Sequence, residues 1–270
     1  MGRNVVHMTS KSGKAFQLSV PDSPRDDQAI FIVAAHKTGS TLMNRVTTEL
    51  CERADAPHVN VELQVWRQGI QIKDWPDSLY AFLDQPGYIF DSFRSLQCLP
   101  EVPAFCTSPK IFLVRDPRDV AVSFYFSMQK SHTLPPGGGD TAKNLEAARL
   151  TATRKSIEEY VVTDECAPTL RNLERFCDFK DDSQSTIFRY EDIVFEKRKW
   201  AARLAELLGA DLDEEIINEI ADKNDIRPAD EDASRHIRQV TPGNYKKHLT
   251  DRAISFLEHR YRRIFEVFGY

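Results

Sequence analysis

Residues 29–41 read Ala29-Ile30-Phe31-Ile32-Val33-Ala34-Ala35-His36-Lys37-Thr38-Gly39-Ser40-Thr41. The unbroken apolar run from Ala29 to Val33 predicts a strand buried on both faces. The stretch from Thr41 to Arg53 predicts a helix behind it. A turn between such a strand and such a helix aims backbone N–H groups and the positive end of the helix dipole at one spot, which suits an anion. Gly39 lets the backbone come close, Ser40 and Thr41 add hydroxyl donors, and Lys37 adds a full charge. The order is not that of a Walker A loop, where glycine leads directly into Lys-Ser/Thr; here Lys37 precedes Gly39 by two residues. Taken alone, the stretch also fits an ordinary turn with a solvated lysine.

Upstream, Val5-Val6 and Phe16 to Val20 flank Ser10-Lys11-Ser12-Gly13, the pattern of a short hairpin. Lys11-Ser12-Gly13-Lys14 repeats the letters of an anion loop, but without a buried strand before it or a helix after it, so no function attaches to it. Downstream, Gly87 to Asp91, Ile111 to Val114 and Ser185 to Arg189 are strand candidates. Helices are predicted from Pro117 to about Gln129, Leu145 to Val162, Thr169 to Phe179, Glu196 to Leu208, Asp213 to Lys223 and Thr250 to Phe268. Asn224 to His248 is charged and aperiodic, a long functional loop. Strands alternating with helices imply an α/β fold: a three-layer sandwich with a central parallel sheet, like that of the P-loop nucleotide kinases, plus the small N-terminal β-hairpin. No repeat or linker interrupts the chain, so residues 1–270 read as one domain, with 1–24 as the hairpin extension.

The 270 residues are 41% hydrophobic and 29% charged, the profile of a globular chain with a substantial core. A net charge of −5 argues against a nucleic-acid binder, so an anion site here must be a local concentration of positive charge. Cys51, Cys98, Cys106, Cys166 and Cys177 form no C-x-x-C pair, and read as reduced thiols. The stretch from Met1 to Ser23 is polar, and the longest apolar run, Ala29 to Ala35, is too short to cross a bilayer. The expected location is the cytoplasm.

A second signal is Val114-Arg115-Asp116-Pro117-Arg118-Asp119-Val120-Ala121-Val122-Ser123. Asp116 can cap a helix that Pro117 begins, which puts Arg115 at the carboxyl end of a strand beside a helix N-terminus. At about 1.5 Å rise per residue, Ser123 stays within reach of an extended arginine, and the two can grip one phosphate. Val120, Phe124 and Met128 form the core-facing stripe, and Arg118 with Asp119 reads as a solvated ion pair.

The two motifs together resemble the sulfotransferases that use 3′-phosphoadenosine 5′-phosphosulfate (PAPS), whose first motif runs P-K-S/T-G-T/S-T and whose second runs R-N/D-P-K/R-D-V-x-V-S. The resemblance implies that Lys37, Thr38, Gly39, Ser40 and Thr41 hold the 5′-phosphosulfate, while Arg115 and Ser123 hold the 3′-phosphate. Arg238-Gln239-Val240-Thr241-Pro242-Gly243-Asn244-Tyr245-Lys246 resembles the family's R-K-G-x-x-G-D-W-K. It implies that Arg238, with Gln239 beside it, meets the 3′-phosphate from the opposite side. Tyr190-Glu191-Asp192 resembles the Y-E-D segment whose tyrosine contacts the adenine. His36 replaces the family's proline and Gln239-Val240 its Lys-Gly. Of the family's dimerisation pattern only Lys246 and Thr250 remain, with Asp251 and Ser255 spoiling the rest.

The resemblance implies sulfuryl transfer from PAPS to a hydroxyl or amine, with PAP as product. The acceptor is a small molecule, lipid or carbohydrate, and Lys37 plus the helix N-terminus suffices without a metal. In cytosolic relatives the base is a histidine at a strand end, where this chain has Phe93. Asp91, two residues earlier, is the favoured replacement; Glu62 is its rival, because other branches use a glutamate after the first helix. His58 and His132 read as surface residues. Ser131 to Asp140 and Asn224 to Ile237 are expected lids, and Trp66, Trp75 and Tyr80 are candidate walls of the acceptor pocket. The alternatives are a nucleoside or nucleotide kinase, and a nucleotide-binding module without catalysis.

Overall fold

The computed structural model describes residues 2–22, 24–131, 140–226 and 240–270. The hairpin consists of β1 (Arg3–Thr9) and β2 (Ala15–Pro21), paired antiparallel. Five further strands follow: β3 (Ile30–Ala34), β4 (His58–Val59), β5 (Ile89–Phe93), β6 (Lys110–Val114) and β7 (Ser185–Arg189). They form one parallel sheet in the order β4-β5-β3-β6-β7, with β3 at the centre. Between the strands lie α1 (Ser40–Arg53), α2 (Val61–Arg67), α3 (Asp77–Leu83), α4 (Pro103–Thr107), α5 (Pro117–Phe126), α6 (Asp140–Arg154), α7 (Ile157–Val162) and α8 (Ala167–Glu174). After β7 come α9 (Tyr190–Ile193), α10 (Lys197–Leu207), α11 (Glu214–Lys223), α12 (Asp251–Arg260) and α13 (Arg262–Phe268).

The expected double burial of β3 is present. Successive side chains of a strand point to opposite faces. Phe31 and Val33 enter one apolar cluster, while Ile30, Ile32 and Ala34 enter another on the far side with Met43, Val46 and Leu50 of α1. Phe31 sits against Phe90 and Phe105, each ring centroid 5.3 Å away. Met8, Phe16, Leu18 and Val20 carry the buried face of the hairpin into that same cluster. The tip of the hairpin is tied down where Lys11 N–H donates to the Asp74 carbonyl, 2.8 Å, so the Lys11–Lys14 stretch serves a turn contact.

Two expected helices are each divided. The segment Leu145 to Val162 breaks between α6 and α7, where Ser156 and Glu159 form a reciprocal capping box that starts a new helix. The segment Thr250 to Phe268 breaks at buried Tyr261, whose hydroxyl donates to Asp164. Thr250, one of the two remnants of the dimerisation pattern, caps α12 by accepting from Ala253 N–H at 3.3 Å. Cys51, Cys98, Cys166 and Cys177 are buried free thiols, and burial pushes the Cys98 thiol up to about 12. No helix among the described residues is long and apolar enough to cross a membrane.

Because all five strands run the same way, their carboxyl ends open onto one edge. From that edge emerge the turn after Ala34, the start of α2 after Val59, the residues after Phe93, Arg115 and Tyr190.

Phe31 fills the centre of this arrangement, so Phe31→Ala should destabilise the protein by about 3–5 kcal/mol. The midpoint of a urea unfolding curve measures it.

Candidate active site at the carboxyl edge of the sheet

The turn after β3 is held in an unusual shape. Lys37 has φ +69° and Gly39 φ +103°, both in the left-handed region. Thr38 is fully buried, and its hydroxyl and its N–H both point back to the Ala35 carbonyl, at 2.8 and 3.3 Å. Its donors are therefore spent on the turn. This departs from the expectation of a direct anion ligand: Thr38 shapes the loop whose neighbours face the site. A Cβ on Gly39 would come within 2.7 Å of the Tyr190 ring, so the position excludes any side chain. Ser40 begins α1, a helix of 14 residues with no acidic residue in its first turn. The first N–H groups of a helix lack intrahelical acceptors, and they give that end a partial positive charge.

Arg115 lies at the other side of the same spot. It is 7% exposed. Its guanidinium stacks on the Tyr190 ring, 4.3 Å from the centroid. Its Nη1 donates to the Lys37 carbonyl at 3.3 Å, which joins the first and second motifs directly. Its Nε is buried and has no hydrogen-bond partner among the described residues. Ser123 is partly exposed on α5, eight residues after Arg115. Tyr190 also donates its hydroxyl to the Val240 carbonyl at 3.1 Å, bringing the end of the late loop to the same place.

The pairing of Arg118 with Asp119 is not found. Arg118 instead bonds Asp116 and Glu258, both at 2.7 Å, and stacks on Tyr245 and Phe265. Asp119 is 2% exposed and accepts from the backbone N–H groups of Gly243, 2.7 Å, and Tyr245, 2.9 Å. Asp119, four residues after Arg115, faces inward on the helix, so a solvated pair was never available. Asp119 is thus the clasp that holds residues 243–245 against α5. The Arg115 Nη2 lies 3.8 Å from it.

The other half of the edge is built around β5. Asp91 is 2% exposed, accepts from Asn44 Nδ2 at 2.9 Å, and lies 3.5 Å from His58 Nε2 without hydrogen-bond alignment. The same Asn44 amide donates to Ser92 Oγ at 2.8 Å, and Ser92 takes φ +74°. His58, expected at the surface, is buried on β4: the strand is too short for any periodicity to reveal it, and its edge is covered. Glu62, near the start of α2, accepts from the Arg94 N–H at 2.9 Å. Burial pushes its carboxyl up to about 7, against the opposing pull of that hydrogen bond and of the Arg94 charge. Glu62 therefore reaches the carboxyl end of β5, whereas Asp91, expected at the strand end, is the middle residue of a strand that runs on to Phe93.

Trp75 is buried in the core beside Tyr80, 6.3 Å between centroids, under the hairpin tip; Trp66 is partly buried on α2. Trp75 is thus a packing residue. Arg238 and Gln239, the lid segments within 132–139 and 227–239, and His132 lie outside the described residues.

A family model described as Sulfotransferase domain matches residues 27–269. Among solved structures, the chain is similar to mouse sulfotransferase SULT7A1 complexed with PAP, at 15% identity and a TM-score of 0.57, covering 91% of this chain and 89% of that one. It is also similar to retinol dehydratase in complex with androsterone and PAP, at 14% identity and a TM-score of 0.50, covering 98% and 90%. These likenesses concern the fold. No curated protein matches by sequence.

Removing the clasp isolates its contribution. Asp119→Ala leaves one buried and one partly buried N–H group without acceptors and should cost about 1–3 kcal/mol in urea unfolding. Hydrogen exchange at the Gly243 and Tyr245 amides should rise at the same time, while that of β3 stays slow.

Proposed function

Because the chain belongs to the sulfotransferase domain family, we propose that it moves the sulfuryl group of PAPS onto a hydroxyl or amine of a small-molecule, lipid or carbohydrate acceptor. The observation that carries this reading is Arg115, a buried guanidinium with an unpartnered Nε, flat on Tyr190 and facing the turn at Gly39. A buried cation with unfilled hydrogen-bonding capacity is costly by itself and is matched by a bound anion. The PAP in the two similar structures supports the same choice of nucleotide.

Bound PAPS would supply a sulfuryl group on a phosphate leaving group, together with a 3′-phosphate as an anchor. Arg115 and Ser123 would hold the 3′-phosphate, with Arg238 and Gln239 opposite, and Tyr190 would face the adenine. Lys37, Gly39, Ser40 and Thr41 would surround the phosphosulfate. In an in-line displacement negative charge grows on the leaving oxygen, so a fixed cation and a helix N-terminus there lower the barrier. Lys37 is the cation. Its left-handed backbone, bonded through its carbonyl to Arg115, makes its position dependent on the 3′-phosphate anchor.

The acceptor must give up a proton. Asp91 is engaged by Asn44 and beside His58, at almost no exposure. Glu62 accepts a backbone N–H, is partly exposed, and sits close to neutrality in its proton affinity. We assign Glu62 as the proton acceptor and Asp91 as the group that positions the end of β5 through Asn44.

The sign of the pH dependence follows. Glu62 works as a base only when ionised, so kcat/KM should rise as pH climbs through about 7 and then level off. Glu62→Gln should remove that rise and lower kcat by about 10²–10⁴-fold. Asp91→Asn should lower activity while leaving the inflection in place; a profile flattened by Asp91→Asn instead would make Asp91 the base.

Lys37→Ala should keep its far-ultraviolet circular dichroism and lose about 10²-fold or more in kcat. Mass spectrometry of an acceptor library incubated with PAPS reads this as products heavier by one sulfuryl group. Unchanged turnover in Lys37→Ala would overturn the mechanism. PAP that failed to stabilise the protein, while ADP with magnesium did, would favour a kinase instead.

A further inference from the structure

Arg94 follows directly after β5, and both of its backbone polar groups are captured by side chains from different elements. Its N–H donates to Glu62 Oε2 at 2.9 Å, and its carbonyl accepts from Asn172 Nδ2 of α8 at 2.7 Å. Asn172 Oδ1 accepts in turn from Leu96 N–H at 3.3 Å. A residue held so firmly at the site edge is not an incidental loop arginine. Its neighbours Phe93 and Leu96 are fully buried core, whereas Arg94 is only partly buried and so reaches solvent at the edge.

Its charge is incompletely answered. The carboxylates that act on it are Glu62 and Asp91, yet among the described residues its guanidinium forms no ion pair. Asp91 already has Asn44 and His58 as neighbours. Glu62, pushed up to about 7 by burial, carries only part of a charge at neutral pH. Burial pulls its pKa down while Glu62 and Asp91 hold it up, and none of its nitrogens is both sealed from solvent and unbonded, so the guanidinium stays open to an incoming anion at the edge.

We propose that Arg94 is a specificity-determining residue that takes a carboxylate or phosphate on the acceptor, placing the acceptor's hydroxyl or amine beside Glu62. This rests on the transferase reading above and names its substrate class. A guanidinium presents paired N–H donors that match either anion in a bidentate grip. Such a pairing also withdraws part of the positive field that Arg94 exerts on Glu62. Glu62 then binds a proton more tightly, so the bound anion itself makes Glu62 a stronger base.

The test uses matched pairs of acceptors with the full chain and PAPS: 4-hydroxyphenylacetate against its methyl ester, and glucose 6-phosphate against glucose. The expected result is a kcat/KM at least about tenfold higher for the anionic member of at least one pair, the pair that responds showing which anion is read. Arg94→Gln should remove about tenfold or more from that anionic member, mainly through KM, and about threefold or less from its neutral partner. Arg94→Lys, which keeps the charge and loses the fork, should fall between. Equal rates for both members in the natural protein overturn the proposal. So does an equal loss for both in Arg94→Gln, which would put Arg94 on the transferred sulfuryl group, or the absence of product from every anionic member. Calorimetry with PAP separates the two levels. If the natural protein binds PAP and any of those outcomes occurs, the acceptor class alone has failed; if it does not bind PAP, the transferase reading has failed.

Discussion

The arrangement turns on a buried guanidinium whose charge is answered at a distance while its hydrogen-bonding capacity is left partly open. Asp119 lies 3.8 Å from Arg115 and is its counter-ion, without closing on it as a bidentate pair. Its two oxygens are instead occupied by the N–H groups of Gly243 and Tyr245. Had Asp119 closed on Arg115 as a bidentate pair, the arginine would have been satisfied and the late loop released. Instead Arg115 keeps an open Nε and lies against the face of Tyr190, an arrangement that stabilises a cation without using up its donors. On the proposed function, an anion would complete the hydrogen bonding that the fold leaves open there.

That single guanidinium also couples elements far apart in the chain. Tyr190 beneath it leaves room at Gly39 for no side chain, and its hydroxyl reaches Val240. Arg115 itself holds the Lys37 carbonyl. The strand-to-helix turn, the start of α5, the start of α9 and the end of the late loop are therefore one unit, assembled at the edge where a parallel sheet with β3 at its centre brings its carboxyl ends together. A loss of Tyr190 would be felt at both Gly39 and Arg115, because its ring lies against each.

The central strand, its helix and the parallel arrangement were legible in the sequence because long apolar runs and 3.6-residue periodicity survive without tertiary information. Ser185–Arg189 matches its reading end for end. That Lys37, Gly39, Arg115 and Tyr190 come together was likewise legible, since each follows a strand of one parallel sheet and so lies at its carboxyl edge. What stayed hidden was either too short or too distant. β4, α2, α3 and α4 span at most seven residues each, less than two helical repeats, so no period emerges. The mistaken surface placement of His58 followed from missing β4. Asp119 and Asn44 act across 124 and 47 residues, and nothing in the letters around them shows that separation closing.

The two halves of the edge solve opposite electrostatic problems with the same device. Lys37 and Ser92, both non-glycine, take left-handed backbone conformations that disfavour side chains, one at each half of the site. Each is held there by a neighbour from another element: the Lys37 carbonyl by Arg115, the Ser92 hydroxyl by Asn44. Asn44 lies on α1, the helix whose N-terminus closes the anion turn, and it also engages Asp91. A displacement of α1 thus moves both ends together. The half around Arg115 leaves a buried guanidinium nitrogen unbonded among the described residues, and the β5 half gathers Glu62 and Asp91 around Arg94. On the proposed function, donor grip and proton removal would consequently be spaced by one helix, before either substrate arrives.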